Sequence, residues 1–275
     1  MWAKIVLAFL CLLMIGGAIR FAPFEQRSLL ASPAGDGPRL KLMTWNIGYA
    51  ELEDDSRAHS QDLKIVAETL LHNDPDAVAL QELTGPEQLR ILLGQLHGKY
   101  RGAVAPAGSS DRVEAVLVKD RDARFEDVSA GDKYCVAAAF HLRTQLPEIV
   151  FASAHADAFS SARRRSYTGE VVDWARGRER NSLVFIGGDF NFELDAKAQS
   201  HFYSDNLKHD SEAYSYLLKY FRDLGREAGY TAVNDRRIDY VFGPTEKITV
   251  RRAEILRGAG AERMDHWPLI VEVSL

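Results

Sequence analysis

Short, strongly apolar runs recur along the chain, and they constrain its fold more than any other feature of the sequence. Each run has the length of a typical β-strand, and several are apolar at nearly every position, as expected of strands covered on both faces. The runs comprise residues 40–45, 76–81, 114–119, 134–142, 148–154, 182–188, 238–243 and 268–274. They predict a core built on buried β-sheets.

Helical periodicity appears between some of these runs. Leu63 and Leu70 share one helix face with the apolar residues between them, and Pro86 suits the first turn of a second helix. Two further helices are predicted near residues 161–176 and 211–224. Because predicted strands outnumber predicted helices about two to one, strict strand–helix alternation is excluded. The sequence favours an α/β fold of two packed mixed β-sheets flanked by helices, a four-layered α/β sandwich.

The first twenty residues differ in composition from the rest of the chain. Lys4 precedes an uncharged, mostly apolar run from Ile5 to Ile19, and Arg20 follows it. This run fits a signal-peptide core better than a membrane span, which needs ~20 residues, although flanking cations would let a slightly short helix cross. We expect residues 1–20 to be a signal peptide or an N-terminal membrane anchor; a buried helix is the alternative. Residues 21–39, rich in proline and glycine, are predicted to be a flexible tether.

The body of the chain, residues 40–275, contains no repeat, low-complexity segment or second linker, so it is predicted to be one domain. Its acidic balance, within a net charge of −5 for the whole chain, disfavours wholesale electrostatic capture of nucleic acid or anionic lipid. A locally positive or metal-loaded cleft remains compatible with that balance. The only two cysteines, Cys11 and Cys135, exclude a disulfide framework.

Polar residues that are able to bind metal ions or phosphate recur at the ends of the apolar runs. They are Asn46, Glu82, His155, Asp189, Asn191, Asp239, Asp265 and His266. Strand ends that converge on one edge of a sheet are where open α/β folds place their ligands. Since carboxylate and amide oxygens predominate, such a site would favour Mg²⁺ or Mn²⁺ over zinc.

These residues belong to six motifs that occur in the order TWN, QE, AH, GGDFN, RIDY and DHWP. Taken together, the motifs resemble the endonuclease/exonuclease/phosphatase superfamily, and the resemblance extends from Leu40 to Leu275. Each motif alone is weak, whereas the ordered set is specific. The resemblance implies a catalytic domain over residues 40–275 that hydrolyses phosphoesters with a divalent metal ion.

The resemblance also implies which residues bind the metal and the attacking water. Glu82 would be the principal metal carboxylate, with Asn46 beside it and Asp265 close to the ion. Asp189 and Asn191 would orient the water and contact the phosphate. Their i, i+2 spacing would make both side chains project the same way from an extended chain.

Proton transfer and phosphate contact are implied for a further set of residues. Asp239 would pair with His266 and hold its tautomer, and His155 would donate to a non-bridging phosphate oxygen. Whether His266 or the aspartate of the GGDFN motif is the general base stays open at this stage. Arg236 and Arg237 lie just before Asp239 in the sequence and are candidates for substrate binding.

The function predicted from these motifs is hydrolysis of a phosphodiester bond outside the cytoplasm, by a nuclease-like enzyme or a phospholipid-headgroup diesterase. Membrane association of the protein is expected to be possible through the apolar residues 5–19, and no obligate protein partner is inferred. The alternatives are a phosphomonoesterase acting on a sugar or inositol phosphate and a catalytically dead binding module. The inositide 5-phosphatases of this superfamily carry a cysteine before an Asp-Arg pair, and its absence before Asp235 and Arg236 disfavours that activity. Some relatives insert an arginine that follows the metal-binding glutamate into a DNA groove, and its absence directly after Glu82 disfavours DNA cleavage.

Overall fold

The apolar runs form two six-stranded mixed sheets in the residues that the computed structural model describes, namely 37–48, 56–108, 111–195, 202–258 and 264–275. The strands are β1 (Arg39–Asn46), β2 (Ala77–Leu83), β3 (Arg101–Val104), β4 (Val113–Val118), β5 (Arg124–Ala130), β6 (Lys133–Phe140), β7 (Glu148–His155), β8 (Ser182–Asp189), β9 (Phe221–Asp223), β10 (Asp239–Pro244), β11 (Thr249–Ile255) and β12 (Leu269–Ser274). The strand order is β11-β12-β1-β2-β4-β3 in the first sheet and β5-β6-β7-β8-β10-β9 in the second.

Four helices accompany these sheets in the same part of the chain. They are α1 (Ser56–Asn73), α2 (Pro86–Gln95), α3 (Ser161–Arg178) and α4 (Leu207–Leu218). Proline occupies the first turn of α2, and Ser160 caps α3 by accepting a hydrogen bond from a backbone N–H. The side chain of Asn206 caps α4 in the same way, so this helix begins before the predicted residue 211 and ends ahead of β9.

Each of the eight predicted strands is present, with boundaries shifted by at most two residues. The strands that the sequence did not predict are β3, β5, β9 and β11, which are the outer strands of the two sheets. Residues of β3, β5 and β11 are mostly exposed or partly buried, and β9 is only three residues long, so these strands lack the long apolar runs of the inner strands. The predicted four-layered α/β sandwich is confirmed.

Alternating side chains of the inner strands enter two different apolar layers. Leu42 and Phe151 pack between the two sheets, whereas Met43 packs with α1 and α2 on the outer face of the first sheet. Val171 of α3 covers the outer face of the second sheet. Burial on both faces stabilises each large apolar side chain by about 1.5–3 kcal/mol and explains the unbroken apolar runs.

The direction of the strands brings the predicted site residues to one edge of the sandwich. β1 and β2 are parallel, as are β7 and β8, so the residues at their carboxyl ends lie at the same edge of their sheet. β10 runs antiparallel to β8 and pairs Asp239 with Asp189, while β12 runs antiparallel to β1 and brings the segment before Leu269 beside the end of β1.

The predicted leader, residues 1–20, and residues 21–36 of the predicted tether lie outside the described residues. Within the described ranges, every helix is too short or too polar to cross a bilayer.

Candidate active site

Asn46 links carboxylates from the two sheets. It ends β1, is buried, and donates hydrogen bonds from Nδ2 to Oε1 of Glu82 (2.9 Å) and to Oδ2 of Asp189 (3.1 Å). Its Oδ1 accepts a hydrogen bond from the backbone N–H of Gly48 at 2.9 Å, which orients the amide. A single amide therefore holds two carboxylates together that would otherwise repel each other.

A backbone irregularity presents Glu82 to the site. The register between β2 and β4 shifts between Leu80 and Leu83, and Glu82 has a left-handed φ of 63°. For a residue other than glycine this conformation costs about 1–2 kcal/mol. Bulges of this kind redirect side chains beside active sites.

The GGDFN segment turns sharply after β8 ends at Asp189. Oδ1 of Asp189 accepts a hydrogen bond from the backbone N–H of Asn191 at 2.9 Å, and Asn191 has a left-handed φ of 52°. The expectation that both side chains project from an extended chain is therefore wrong, because the aspartate side chain closes a local turn. The Asn191 amide donates to the carbonyl of Ala156 at 3.4 Å, while Oδ2 of Asp189 is directed towards Asn46.

His266 is held by Asp239 through a hydrogen bond of 2.8 Å from Nδ1 to Oδ2. The hydroxyl of Thr231 accepts the backbone N–H of Asp239 at 3.0 Å, and Trp45 donates from its indole to the carbonyl of His266 at 3.2 Å. Burial opposes a charge on the ring, but the Asp239 and Asp189 carboxylates outweigh it and raise the pKa of His266 to about 10.

His155 has a carboxylate partner that the sequence prediction missed. Nδ1 of His155 lies 3.4 Å from Oε1 of Glu114, whose side chain is only 7% exposed. Burial opposes the charged imidazole, yet Glu114 and Asp189 raise the pKa of His155 above its ordinary value. A signal for Glu114 was present, since one carboxylate opens an otherwise apolar strand, and buried carboxylates need partners.

The two imidazoles converge on one oxygen. Nε2 of His155 and Nε2 of His266 each lie 3.8 Å from Oδ2 of Asp189. Nε2 of His155 also lies 3.7 Å from Glu82, and Nε2 of His266 lies 3.9 Å from the partly exposed Asp265. All eight residues proposed from the sequence for catalysis and metal binding therefore meet around Asp189, either directly or through one neighbour.

The donor set fits a hard divalent cation. Glu82, His155 and Asp189 form one group whose ligand atoms lie within 4.8 Å of one another, and Asp189, Asp239 and His266 form a second. Within the described residues, Nε2 of His155 and Oδ1 of Asp239 are buried without a hydrogen-bond partner. The clustered carboxylate oxygens are the ligands that Mg²⁺ or Mn²⁺ prefers, and the two unsatisfied buried atoms indicate that the site contacts a further group.

The two candidate arginines are both engaged by carboxylates. Arg237 donates to both oxygens of Asp223, at 2.8 and 2.7 Å, so this guanidinium is committed to a buried ion pair. Arg236 lies 3.3 Å from Glu193 and stacks on the ring of Tyr203 at 3.9 Å. Substrate contact by Arg236 and Arg237 stays a prediction, and each guanidinium already has a carboxylate partner.

Comparison with solved structures identifies relatives of the same fold. A mannosyl-6-phosphatase from Bacteroides thetaiotaomicron superposes with a TM-score of 0.67 at 18% identity, covering 86% of this chain and all of the other. The catalytic domain of human nocturnin, solved with a bound sulfate, gives a TM-score of 0.61 at 18% identity and covers 86% of this chain and 95% of the other. TDP2 from Caenorhabditis elegans gives 0.60 at 18% identity, with 86% and 74% covered.

The sequence matches no curated protein. It does match the model of one family, the Endonuclease/Exonuclease/phosphatase family, over residues 43–268. That range holds all six motifs and every residue of the site from Asn46 to His266. With sequence motifs, fold and site geometry in agreement over most of its length, the chain belongs to the endonuclease/exonuclease/phosphatase family, whose members are phosphoester hydrolases.

Proposed function

We propose that this protein hydrolyses a phosphodiester bond with a divalent metal ion, outside the cytoplasm. The observation that carries the proposal is the convergence of Glu82, His155, Asp189, Asp239 and His266, whose ligand atoms form two overlapping groups sharing Asp189. A purely structural cluster would satisfy its own buried atoms, whereas two of these atoms have no hydrogen-bond partner in the described residues.

Glu82 and Asp265 would hold the ion, with Asn46 fixing the position of Glu82. The bound ion would neutralise charge on the phosphoryl oxygens and on the departing oxygen. Burial and the neighbouring Glu82 charge raise the pKa of Asp265, so this carboxylate gains from a cation nearby. Mg²⁺ or Mn²⁺ is the proposed ion because both prefer oxygen ligands.

Asp189 would orient the attacking water. One of its oxygens is fixed by the backbone N–H of Asn191, and the other is fixed by Asn46. A carboxylate oriented on both sides fixes the water that it binds, and such positioning lowers the barrier of a bimolecular step. Asn191, directly beyond this turn, would contact the phosphate.

The two imidazoles would bind phosphoryl oxygens and transfer protons. Both Nε2 atoms lie 3.8 Å from Oδ2 of Asp189, so a phosphoryl group bound beside this carboxylate would be within reach of both rings. His266, charged through its contact with Asp239, suits proton donation, which leaves Asp189 as the preferred general base. Such proton transfer contributes ~10²–10⁴-fold to rate.

The substrate is proposed to be a diester, either nucleic acid or phospholipid headgroup. A monoesterase acting on a sugar phosphate is the second possibility to test, since one structural relative is a mannosyl-6-phosphatase. The proposed location rests on the apolar run of residues 5–19, which would export the chain or anchor it. Fractionation of cells expressing the full chain would test that location, and an unprocessed cytoplasmic protein would contradict it.

Hydrolysis assays on the full-length protein test the proposed activity. The substrates are bis(p-nitrophenyl) phosphate, single-stranded and duplex DNA, sphingomyelin and mannose 6-phosphate, each with Mg²⁺, Mn²⁺ or EDTA. We expect turnover of at least one diester that EDTA abolishes. Turnover in EDTA, or of none of these substrates, would contradict the proposal.

Two matched pairs of variants test the residues. Glu82→Gln should weaken the apparent metal affinity at least about tenfold, whereas Glu87→Gln, on the exposed face of α2, should not. His266→Ala should lower kcat more than it raises KM, whereas His141→Ala, at an exposed position, should change neither. Equal effects within either pair would remove the assignment.

A further inference from the structure

Gly48 lies against the carboxylate of Glu82. Beyond the end of β1, the backbone N–H of Ile47 donates to the carbonyl of Gln81 at 3.1 Å, so the backbone that follows β1 stays beside β2 for one more residue. A Cβ added to Gly48 would overlap Oε2 of Glu82 and would lie 2.9 Å from its Cδ. Nonbonded carbon atoms pack at about 3.5–4.0 Å, so the Glu82 carboxylate is able to occupy its present position only when residue 48 lacks a Cβ.

The same glycine touches the residue that holds Glu82. A Cβ on Gly48 would lie 3.0 Å from Oδ1 of Asn46, the atom to which the Gly48 N–H already donates. Any residue except proline would supply that N–H. What distinguishes glycine here is the space left by its missing side chain.

We infer that Gly48 is a positioning residue for the metal site: its missing Cβ leaves the space in which Asn46 holds the Glu82 carboxylate. The inference rests on the proposed role of Glu82 in metal binding. It names a residue outside the set of groups that contact the ion or the substrate.

The cost of filling this space falls on the site and not on the fold. The two nearest atoms that a Cβ would meet belong to the end of the Glu82 side chain, which is 29% exposed and is able to swing towards solvent, and the third, Oδ1 of Asn46, would lie 3.0 Å away. That movement would break the hydrogen bond from Asn46 and carry the carboxylate away from His155. A Cβ on Gly188, in contrast, would overlap the backbone carbonyl of Ala154 inside the sheet, where no side chain is able to yield.

Three variants of the full-length protein test the inference. Gly48→Ala is the test, and Gly94→Ala, on α2, is the matched control, because its added Cβ would meet nothing within 4 Å apart from its chain neighbours and the backbone of its own helix. The double variant Gly48→Ala with Glu82→Asp withdraws the carboxylate by about one methylene and should relieve the overlap. Each protein is compared with the parent and with Glu82→Asp alone.

The first readout is the structure of the metal-free protein. A crystal structure of Gly48→Ala grown in EDTA should show the Glu82 carboxylate displaced by at least about 1 Å, with the Asn46 hydrogen bond lost. A carboxylate in the parental position would overturn the inference, whatever the metal does. Thermal unfolding in EDTA should give nearly the same Tm for Gly48→Ala and the parent, and a large loss of Tm would overturn the claim that the cost falls on the site.

The second readout is Mn²⁺ affinity measured by calorimetry without substrate. We expect Gly48→Ala to weaken it at least about tenfold and Gly94→Ala to leave it unchanged. Glu82→Asp should weaken Mn²⁺ affinity when it is introduced into the parent protein. Introduced into Gly48→Ala, the same substitution should weaken Mn²⁺ affinity less or should restore it. Parental affinity in Gly48→Ala would overturn the inference, whereas a parent that binds no Mn²⁺ would overturn the proposed function instead.

Discussion

Two histidine–carboxylate pairs face Asp189, and they hold their imidazoles differently. His155, in the second sheet, pairs with Glu114 of the first sheet, whereas His266, which precedes a strand of the first sheet, pairs with Asp239 of the second. The contact is 2.8 Å at His266 and 3.4 Å at His155. Each pair therefore crosses between the two sheets, but only the His266 pair has the length of a strong charge-assisted hydrogen bond.

The surroundings of the two rings increase this difference. Asp239 is completely buried and fixed through its backbone, so its charge acts on His266 with little screening. Nζ of Lys133 donates a hydrogen bond to the backbone carbonyl of His155 at 3.2 Å, and the positive charge of Lys133 opposes protonation of the His155 imidazole. Two rings equidistant from one carboxylate therefore need not share a role: His266 suits proton transfer, and His155 suits phosphate contact.

Asp239→Asn should produce the largest effect, because an amide neither fixes the tautomer of His266 nor stabilises its charge. We expect turnover of a phosphodiester to fall by ~10²–10⁴-fold at saturating metal. Steady-state kinetics measure the effect, with Asp173→Asn as control, since that carboxylate accepts a surface hydrogen bond from Tyr216. Turnover within about threefold of the parent would contradict the role of the pair.

The pH dependence of stability should follow the same pair in the metal-free protein. The pKa of His266 is raised from an ordinary 6.5 to about 10, so the stabilisation is complete below pH 6.5 and is lost as the pH rises through 10. Denaturant unfolding in EDTA should show a decrease of the order of a few kcal/mol over this range. Asp239→Asn should flatten that decrease, and an equally steep decrease in the variant would assign it to other groups.

Glu114→Gln should have a smaller effect than Asp239→Asn. The longer contact to His155 is worth roughly 1 kcal/mol, which corresponds to about a fivefold loss of kcat/KM. The same kinetic assay compares the two variants directly. Equal losses of kcat/KM in Glu114→Gln and Asp239→Asn would show that the two histidine–carboxylate pairs contribute equally to catalysis.

Lys133→Met should give the smallest effect. Removing its charge should raise the pKa of His155 further, because that charge now lowers it. An NMR titration of the His155 ring in EDTA measures the change, and the exposed His141 serves as an internal control. An unchanged or lower pKa of His155 would show that Lys133 does not act on this ring.

The inner strands were predictable because burial on both faces leaves a continuous apolar run that needs no knowledge of the partner. The outer strands β3, β5, β9 and β11 were missed for the converse reason: one side of each lies at the rim of a sheet, where mixed polar sequences are tolerated. The predicted bounds of the fourth helix, residues 211–224, lie too far along the chain, because the helix begins directly after its capping residue Asn206, before the apolar periodicity begins.

The candidate site was largely predictable from motifs, but its contacts were not. Asn46, Glu82 and Asp189 stand out as polar residues at the ends of apolar strands, whereas Glu114, at the start of one, gives no indication in the sequence of the imidazole that it contacts. Arg237, the first residue of the RIDY motif, is a candidate for phosphate contact, and its buried ion pair with Asp223 was not visible in the sequence.

Local hydrophobic patterning and short ordered motifs are enough to predict the inner strands, the layered α/β architecture, the family and the set of polar residues available for chemistry. The folded protein was needed to show which carboxylate contacts which imidazole, that a bulge directs Glu82 into the site, and that Gly48 leaves room for it. Those outcomes depend on strand register and on the packing of one sheet against the other, and neither is encoded in the neighbours of a residue along the chain.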